Sequence, residues 1–545
     1  MLCAPGGESL RPLTNLACTV FLWASAPASS GQDPVGGGEW QALELPGLCL
    51  ETRARPQLAR LLTGEHIDLS PDRLELDDEL PIRPSLPVTA LLGLLREESR
   101  RGRWSLNFSS AAPPLLVQGP ADQRQPCSDM LAEIDQAGRA FEVELAAWVT
   151  PGSSAAGTHP SREDFEGAVG SSAPWGLVHA LSGERVVFGR REHKGFVADY
   201  SIEVATDSGV ATPIVGNVSF GRVLHVRACR VRRGTALHIE GLLDAAELES
   251  IEPFDSESPD LGLFEQPRVA SLQVAFSGVV ESGAVLALPI SGAPLATPDF
   301  TLWIRASTRA DPEATRWRCM DVSLLETRMR ALPLLKPGAG LALDTTDSRP
   351  TWLNAVPSSL IAQIADAAAP SSGTRPRVVW SPGFLMAPAD ATEAWRSIDS
   401  LVGAAEAGRL RSAELSIRHG PLSLLVPTTE GVSLRLRAGR EYCLLESYDA
   451  EIAPESWMPA PNVAWAFDGL ALHALLSGSR VGCDAWIAQS ERVVHLTRKQ
   501  IALAGLQLAQ RAFDSASTQL SAGDPAREIL NRDGASGLRL QLALP

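Results

Sequence analysis

No stretch of this 545-residue sequence offers the roughly eighteen consecutive apolar residues that a membrane-crossing helix needs, so no helical membrane span is expected. Positive charge is also scarce. Against 64 Asp and Glu stand 48 Lys and Arg, a net charge of −16, and a chain of that sign lacks the basic footprint that holds nucleic acid or anionic lipid. An acidic substrate is disfavoured for the same reason, and the surplus serves solubility. Nine histidines are scattered without an HExxH or an H-x-H pair. Eight cysteines form no CxxC or other short-spaced pair, so no zinc site is expected and no cofactor is called for. Beyond residue 28 the cysteines are Cys49, Cys127, Cys229, Cys319, Cys443 and Cys483, and their wide spacing fits disulfides and buried thiols equally.

What is present is ordinary globular material, 45% hydrophobic and 21% charged, long enough for three or more domains. Forty prolines and 45 glycines predict short elements separated by many turns. Residues 1–28 read as a signal peptide: Arg11, an apolar core over 16–23, and Ala26-Pro27-Ala28 as an A-x-A cleavage site, which predicts export. Residues 29–85 are a linker and an N-terminal segment without a clear period, and Gly36-Gly37-Gly38 within it lacks the strand and Lys of a phosphate loop.

From residue 86 the pattern sharpens. Helical spacing at Val88, Leu91, Leu92 and Leu95 is followed by strand-like alternation at 104–108, a short strand at 115–117, and a helix over 122–137 with Met130, Leu131 and Ile134 on one face. That order predicts a small αββα domain at 86–140. Short alternating runs then recur across 141–307, a mainly antiparallel β domain with a polar loop at 255–267. After a connector at 308–354 the order returns: a second αββα domain at 355–410, with helices at 358–369 and 389–407, and a shortened second β domain at 411–496. Residues 497–545 read as an amphipathic helix over 499–520 and a final strand. The predicted class is therefore α+β, with small αββα domains alternating with β domains in two tandem copies.

The duplication is visible at residue level. Residues 200–225 and 448–473 align without a gap at an offset of 448 − 200 = 248, and nine of the 26 positions are identical: Tyr200/Tyr448, Glu203/Glu451, Ala205/Ala453, Ser208/Ser456, Pro213/Pro461, Val215/Val463, Gly221/Gly469, Leu224/Leu472 and His225/His473.

Several motifs resemble the secretins, the ring-forming outer-membrane proteins of bacterial secretion and pilus systems. Leu115-Leu-Val-Gln-Gly-Pro with its helix resembles the family's ring-building domain, and Phe141-Glu-Val-Glu-Leu resembles the strand that opens the secretin domain. Leu181-Ser-Gly-Glu-Arg-Val-Val-Phe-Gly, Gly221-Arg-Val-Leu-His-Val, and the stretch from Glu265-Gln-Pro-Arg-Val to Gly283-Ala-Val-Leu resemble later strands, in the same order. The resemblance covers about 86–307, with a fainter second copy at about 355–496. The usual proline after the Leu224–Val226 strand is absent, and Leu288-Pro289-Ile290-Ser291-Gly292 replaces the closing glycine-rich turn. Only some thirty residues separate the opening strand from Leu181, where the family places its membrane hairpins, and four strands of about 9–11 residues do not fit there.

The resemblance implies a non-enzymatic, exported scaffold in the periplasm or at the outer membrane, part of a type II/III secretion or pilus-type assembly, without a complete pore of its own. Its partners would be further copies of itself or other secretion-system components. Two tandem units would let one chain fill two layers or two adjacent ring positions. The alternatives are a secreted β-rich module that binds surface carbohydrate or protein, and a hydrolase whose site is dispersed.

No catalytic, cofactor or metal residue is assigned from the sequence. His225 and His473 share a repeat position, which invites a metal reading, but strand histidines packed beside Leu224 and Leu472 account for them. Ser182-Gly183 and Ser477-Gly478 lack the G-x-S-x-G frame of a nucleophile and read as turns. Glu203 with Asp199, and Glu451 with Asp449, read as solvated strand carboxylates, and Trp457 and Trp465 accompany no basic patch.

Overall fold

A computed structural model of the chain describes residues 40–43, 95, 106–109, 115–308, 317–321, 324 and 379–543, less 140–141, 154–156, 184–185, 205–208, 232–234, 256–262, 382–383, 389–391, 454–455, 497–505 and 531–537. The expected signal peptide, the linker and the helix at 358–369 lie outside these residues, as does all but Leu95 of the helix expected from Val88.

Strands β1 (Trp40–Leu43), β2 (Asn107–Ser109) and β3 (Leu115–Gln118) form a small antiparallel sheet in the order β1-β3-β2, followed by helix α1 (Ala121–Arg139). Helical spacing of Cys127, Met130 and Leu131 gives α1 its buried stripe. A first set of strands follows: β4 (Glu142–Pro151), helix α2 (Arg162–Val169), β5 (Gly176–Leu181), β6 (Val186–Val204), β7 (Gly209–Arg230), β8 (Ala236–Asp255), β9 (Leu263–Glu281), β10 (Val285–Ser291) and β11 (Phe300–Thr308). A second small sheet contains β12 (Trp317–Asp321), β13 (Val379–Ser381) and β14 (Phe384–Pro388) in the order β12-β14-β13, with helix α3 (Thr392–Arg409) after it. The second set is β15 (Ser412–His419), β16 (Leu422–Thr429), β17 (Ser433–Ala453), β18 (Ser456–Ser477), β19 (Arg480–Leu496), β20 (Leu506–Ser521), β21 (Arg527–Leu530) and β22 (Leu538–Ala543).

These two sets build two eight-stranded antiparallel sheets. One runs β21-β22-β15-β16-β10-β11-β4-β5, the other β20-β19-β18-β17-β9-β8-β7-β6. They stack face to face over one continuous apolar cluster that draws on both sets, from Leu145, Leu224, Ile239 and Leu286 to Leu415, Leu436, Leu472 and Leu540. Alternation decides which strands are covered once and which twice. Leu538-Arg-Leu-Gln-Leu-Ala in β22 buries Leu538, Leu540 and Leu542 and exposes the residues between, whereas Val285-Leu-Ala-Leu-Pro-Ile in β10 is buried throughout. The second cover over β10 comes from α2, whose Phe165 and Val169 pack with Trp148, Val285, Ala287 and Trp303. Helix α2 starts on a capping box: Asp164 N–H donates to Ser161 Oγ at 3.1 Å, and Ser161 N–H donates to Asp164 Oδ2 at 3.2 Å.

Several expectations are corrected. The fold is not α+β with alternating αββα ring-building domains; it is mostly β, 69% strand and 13% helix, with three helices and two large antiparallel sheets among the described residues. Helix α1 lies against β12 of the other small sheet, so the helices do not simply close their own sheets. The amphipathic helix expected over 499–520 is a strand where described, β20. Leu508, Ala512, Ala516 and Leu520 have helical spacing, but β20 pairs with β19 over nearly its full length, and that tertiary partner overrides local propensity. The second set is not shortened, since it contributes as many strands to each sheet as the first.

The elements are not short either. Strands β6 to β9 have 19, 22, 20 and 19 residues, because runs that looked separate, such as 186–188 and 200–204, are single strands. The loop expected at 255–267 gives way to β9 at Leu263. The short interval before Leu181 therefore does not exclude long hairpins: they follow Leu181. At about 3.3 Å per residue they overshoot the ten-residue β4. Beyond it they form their own small clusters, Phe196 with Val218, Ala246 and Val269, and Phe254 with Phe264, Tyr200 and Ile202.

Candidate functional site

The arrangement that could do something is the seam where the two strand sets meet. In each set the strands follow the same order: β5-β4-β11-β10 and β16-β15-β22-β21 in one sheet, β6-β7-β8-β9 and β17-β18-β19-β20 in the other. The last edge of the first set joins the first edge of the second in both sheets. Strand β9 pairs with β17 from Ala275↔Arg435 to Arg268↔Tyr442, and β10 pairs with β16 at Ile290↔Leu424 and Ser291↔Ser423. The seam is therefore head-to-tail.

The two aligned sequence segments each lie in a hairpin, and the two hairpins pair in matching register. Tyr200 faces Pro213 and Tyr448 faces Pro461; the ladder is interrupted between Val197 and Asp199 in one hairpin and between Leu445 and Ser447 in the other, again 248 apart. Gly221 and Gly469 mark a shared close approach. They have φ of +127° and +156°, and a Cβ on either would stand 2.2 Å from a neighbouring carbonyl oxygen, of Arg190 and of Ala438 respectively. In β8/β9 and β19/β20 the irregularities at Leu248/Ser250 and Ser490/Arg492 correspond at 490 − 248 = 242.

Polar side chains tie the seam on the face of the long-stranded sheet away from the main core. Thr429, closing β16, donates from its backbone N–H and its hydroxyl to Ser277 Oγ, both at 2.8 Å, and its Oγ1 lies 2.8 Å from His238 Nε2. Glu240 continues the chain of contacts: its Oε1 is 3.3 Å from His238 Nδ1, and its Oε2 accepts from Arg227 Nε at 3.1 Å. All five residues are buried, with Arg227 and Glu240 each 2% exposed. Such a group survives burial only because its charges are paired and hydrogen-bonded. Ser271 donates to Glu441 at 3.1 Å and Arg437 pairs with the same carboxylate at 2.9 Å, while on the other sheet Thr158 donates to Glu414. At the exposed rim Arg440 meets Glu249 at 2.8 Å. Gly292, at φ +62°, lets the chain pass Pro421, whose carbonyl oxygen would be 2.0 Å from an added Cβ.

Next to this group Arg191 pairs with Asp244, both largely buried. Burial pushes the Asp244 carboxyl upward, and the opposed pull of Arg191 and the hydrogen bond to Gln273 only partly restore it.

The residues singled out from the sequence fall in different places. His225 is buried on β7 opposite Leu242, and His473 lies on β18 between Arg435 and Asp484; three strands separate β7 from β18, so the two histidines do not converge. Burial lowers the His473 pKa, Arg435 adds to the lowering, and Asp484 opposes it; burial also brings Arg435 down to about 10. Asp199 accepts from the Tyr200 N–H at 2.7 Å while burial raises its pKa. Glu203 stands opposite Val210, and Glu451 opposite Met458. Ser182 Oγ accepts from Arg230 N–H at 2.8 Å beside Gly183 at φ +79°, and Gly478 turns at φ +60° after Ser477. Trp457 and Trp465 sit in β18 opposite Ile452 and Cys443, while Gly36 to Gly38 lie outside the described residues. Cys127, Cys229, Cys443 and Cys483 are free and buried, burial raising the Cys127 and Cys483 thiols to about 12; Cys319 is in β12, and Cys49 is not described. No three His, Cys, Asp or Glu among the described residues are placed to hold a metal.

The seam residues His238, Glu240, Ser277 and Thr429 escaped the sequence reading. One signal was available: His238-Ile-Glu240-Gly sets two ionisable groups on one face of the otherwise apolar run Ala236–Leu243. Away from the seam a cleft of about 480 Å³ is lined by Trp175, Phe220, Arg190, Arg222 and Glu192 among others.

No protein-family model matches the chain, and no curated protein does. Among solved structures it is similar to the InvG secretin domain β-barrel from the Salmonella SPI-1 injectisome NC-base, at 13% identity and a TM-score of 0.20, covering 38% of this chain and 74% of that one. The Salmonella SPI-1 type III secretion injectisome secretin InvG matches at 12% identity and a TM-score of 0.21, over 40% and 78%. The InvG chain of an atomic model of the SPI-1 basal body proteins InvG, PrgH and PrgK matches at 12% and 0.21, over 40% and 56%. The likeness is to a secretin-like fold. No helix among the described residues is long and apolar enough to cross a membrane, which leaves β-barrel crossing open.

Proposed function

We propose that the protein is a non-enzymatic scaffold of the cell envelope, related to the secretins, that is exported and takes part in a secretion-type assembly in the periplasm or at the outer membrane. The observation that carries this reading is the seam: both sheets continue across two like-ordered strand sets, and the charges buried there are spent on ion pairs within and beside it. A catalytic site needs a group held ready for substrate in a cleft. Here Arg227, Glu240 and His238 are committed to one another, and Arg191 to Asp244. The motif resemblance at Leu115–Pro120, Phe141–Leu145 and Gly221–Val226 supplies the family.

The protein does not form a complete membrane-embedded pore of its own. A lipid-facing strand needs an apolar band, whereas the far ends of β6 and β7 expose His193, Lys194, Ser201 and Glu203 beside Val210, Ile214 and Val215. Fractionation of a two-membrane bacterial host tests the reading: the protein is expected in the periplasmic or envelope fraction. Recovery in the cytosol alone would overturn it.

The cleft at Trp175 favours one other reading, a secreted β-rich module that binds surface carbohydrate or protein through an aromatic floor and polar side chains. Saturable micromolar binding in a glycan and peptide titration, lost in Trp175→Ala, would select it.

A further inference from the structure

The cleft at Trp175 opens where the apolar core between the two sheets ends. On the core-facing side of the β6–β7 ladder, Phe188 stands opposite Leu224 inside the main cluster. The next rungs on that side are Arg190 opposite Arg222 and Glu192 opposite Phe220. Val149 and Trp175, half-buried against the same cluster, complete the lining of a space of about 480 Å³. At the corresponding positions, 248 residues on, the second set carries Ala438 opposite Leu470, both buried in the core, and Arg440 opposite Asp468. Its β15 also turns into β16 through Gly420-Pro421, where the first set inserts residues 152–175 with α2 and Trp175. The chemistry of the cleft therefore belongs to one set alone. Two guanidinium groups directly opposite each other weaken a ladder, so a rung that the duplicate fills with Ala and Leu gains no stability from them. Local rules broken in this way gather at functional sites.

Charge decides the ligand. Arg190 pairs with Glu192 at 3.0 Å, and Arg222 pairs with Glu247 at 3.6 Å while lying 4.9 Å over the Phe300 ring. Each guanidinium is neutralised in place, so the cleft has no surplus positive charge to draw an anion to a chain of net charge −16. What its polar groups offer is a mixture, guanidinium N–H groups that only donate beside a carboxylate that only accepts. Adjacent hydroxyls satisfy both at once, and a ring with an apolar C–H face suits the aromatic surfaces of Trp175 and Phe220. We infer that the cleft binds an uncharged pyranose unit of a glycan, its hydroxyls between Arg190 and Glu192 and its C–H face against Trp175. The inference rests on the carbohydrate reading of this cleft and narrows it, whereas the scaffold reading stands or falls apart from it.

The test is isothermal titration calorimetry of the purified full chain. Maltotetraose, cellotetraose and chitotetraose serve as neutral probes, and tetragalacturonate and hexaglutamate as acidic ones. Expected is saturable binding of at least one neutral probe, constant within about twofold between about 50 and about 500 mM NaCl because no net charge is exchanged. Trp175→Ala should weaken it about tenfold or more, and Glu192→Gln about three- to tenfold. Glu192 is exposed, so its variant probes the cleft without disturbing the core on which Trp175 packs. Failure of every neutral probe would overturn the inference, as would neutral binding indifferent to both substitutions. Tighter binding of an acidic probe, lost in Trp175→Ala, overturns it as well but keeps the wider reading of the cleft as a binding site. Silence from all five probes removes both.

Discussion

The two strand sets place different chemistry at the same register. In the first, Arg227 on β7 faces Glu240 on β8, and both are buried as an ion pair that reaches Thr429 through His238. In the second, the corresponding positions are Leu475 on β18 facing Gly482 on β19; the leucine is exposed, and nothing lies within 4 Å of a Cβ built on the glycine. One row lower the comparison reverses, with His225 facing Leu242 in the first set and His473 facing Asp484 in the second. Backbone pairing is shared while burial is not, because the first set is followed by a neighbour and the second is not. The outer faces differ in the same way. Helix α2 covers β10 and β11, whereas β15 and β22 turn Ser416, Arg418, Arg539 and Gln541 outward.

The sharpest way to break this asymmetry is Glu240→Ala. It leaves Arg227 buried without its carboxylate and should cost about 3–5 kcal/mol in chemical denaturation, while Gly482→Ala at the matching place should cost under about 1 kcal/mol. Next come the shared glycines. Gly221→Ala and Gly469→Ala each force a Cβ against a carbonyl oxygen in a positive-φ backbone, and each should cost about 2–4 kcal/mol. Equal losses in the two variants would support hairpin equivalence; a loss confined to one would sink it.

A smaller effect concerns pH. With its pKa lowered by burial, His473 stays neutral in the fold while the unfolded ring titrates near its ordinary 6.5. Stability should therefore decline as pH falls through 6.5, level off once the folded ring also protonates, and lose this slope in His473→Leu. Melting curves taken from pH 8 to pH 5 read the difference directly. The weakest change is Arg440→Ala, which removes an exposed ion pair to Glu249 across the seam and should shift stability by less than about 1 kcal/mol. A larger loss would show that the rim of the seam matters as much as its buried centre.

Much of the strand content could be read from local pattern. Phe141-Glu-Val-Glu-Leu, Val269 to Phe276 and Leu538-Arg-Leu-Gln-Leu-Ala alternate or run apolar as strands do, and the repeat located one hairpin in both halves. Strand length escaped that reading, since Gly189, Gly195 and Gly216 look like turn punctuation yet lie within β6 and β7. Strand type at 506–520 escaped it too, because alanines spaced four apart satisfy a helix as well as a strand.

Composition, hydrophobic alternation and the likeness of the two aligned hairpins were therefore written locally, as preferences of neighbouring residues. The seam was not. Ser277 is 152 residues from Thr429, and His238 is 191 residues from it. Whether Glu240 is a solvated carboxylate or half of a buried pair depends on which edge meets which. Only the packing of one strand set against the next decides that, because desolvation is a property of the covered position and not of the residue.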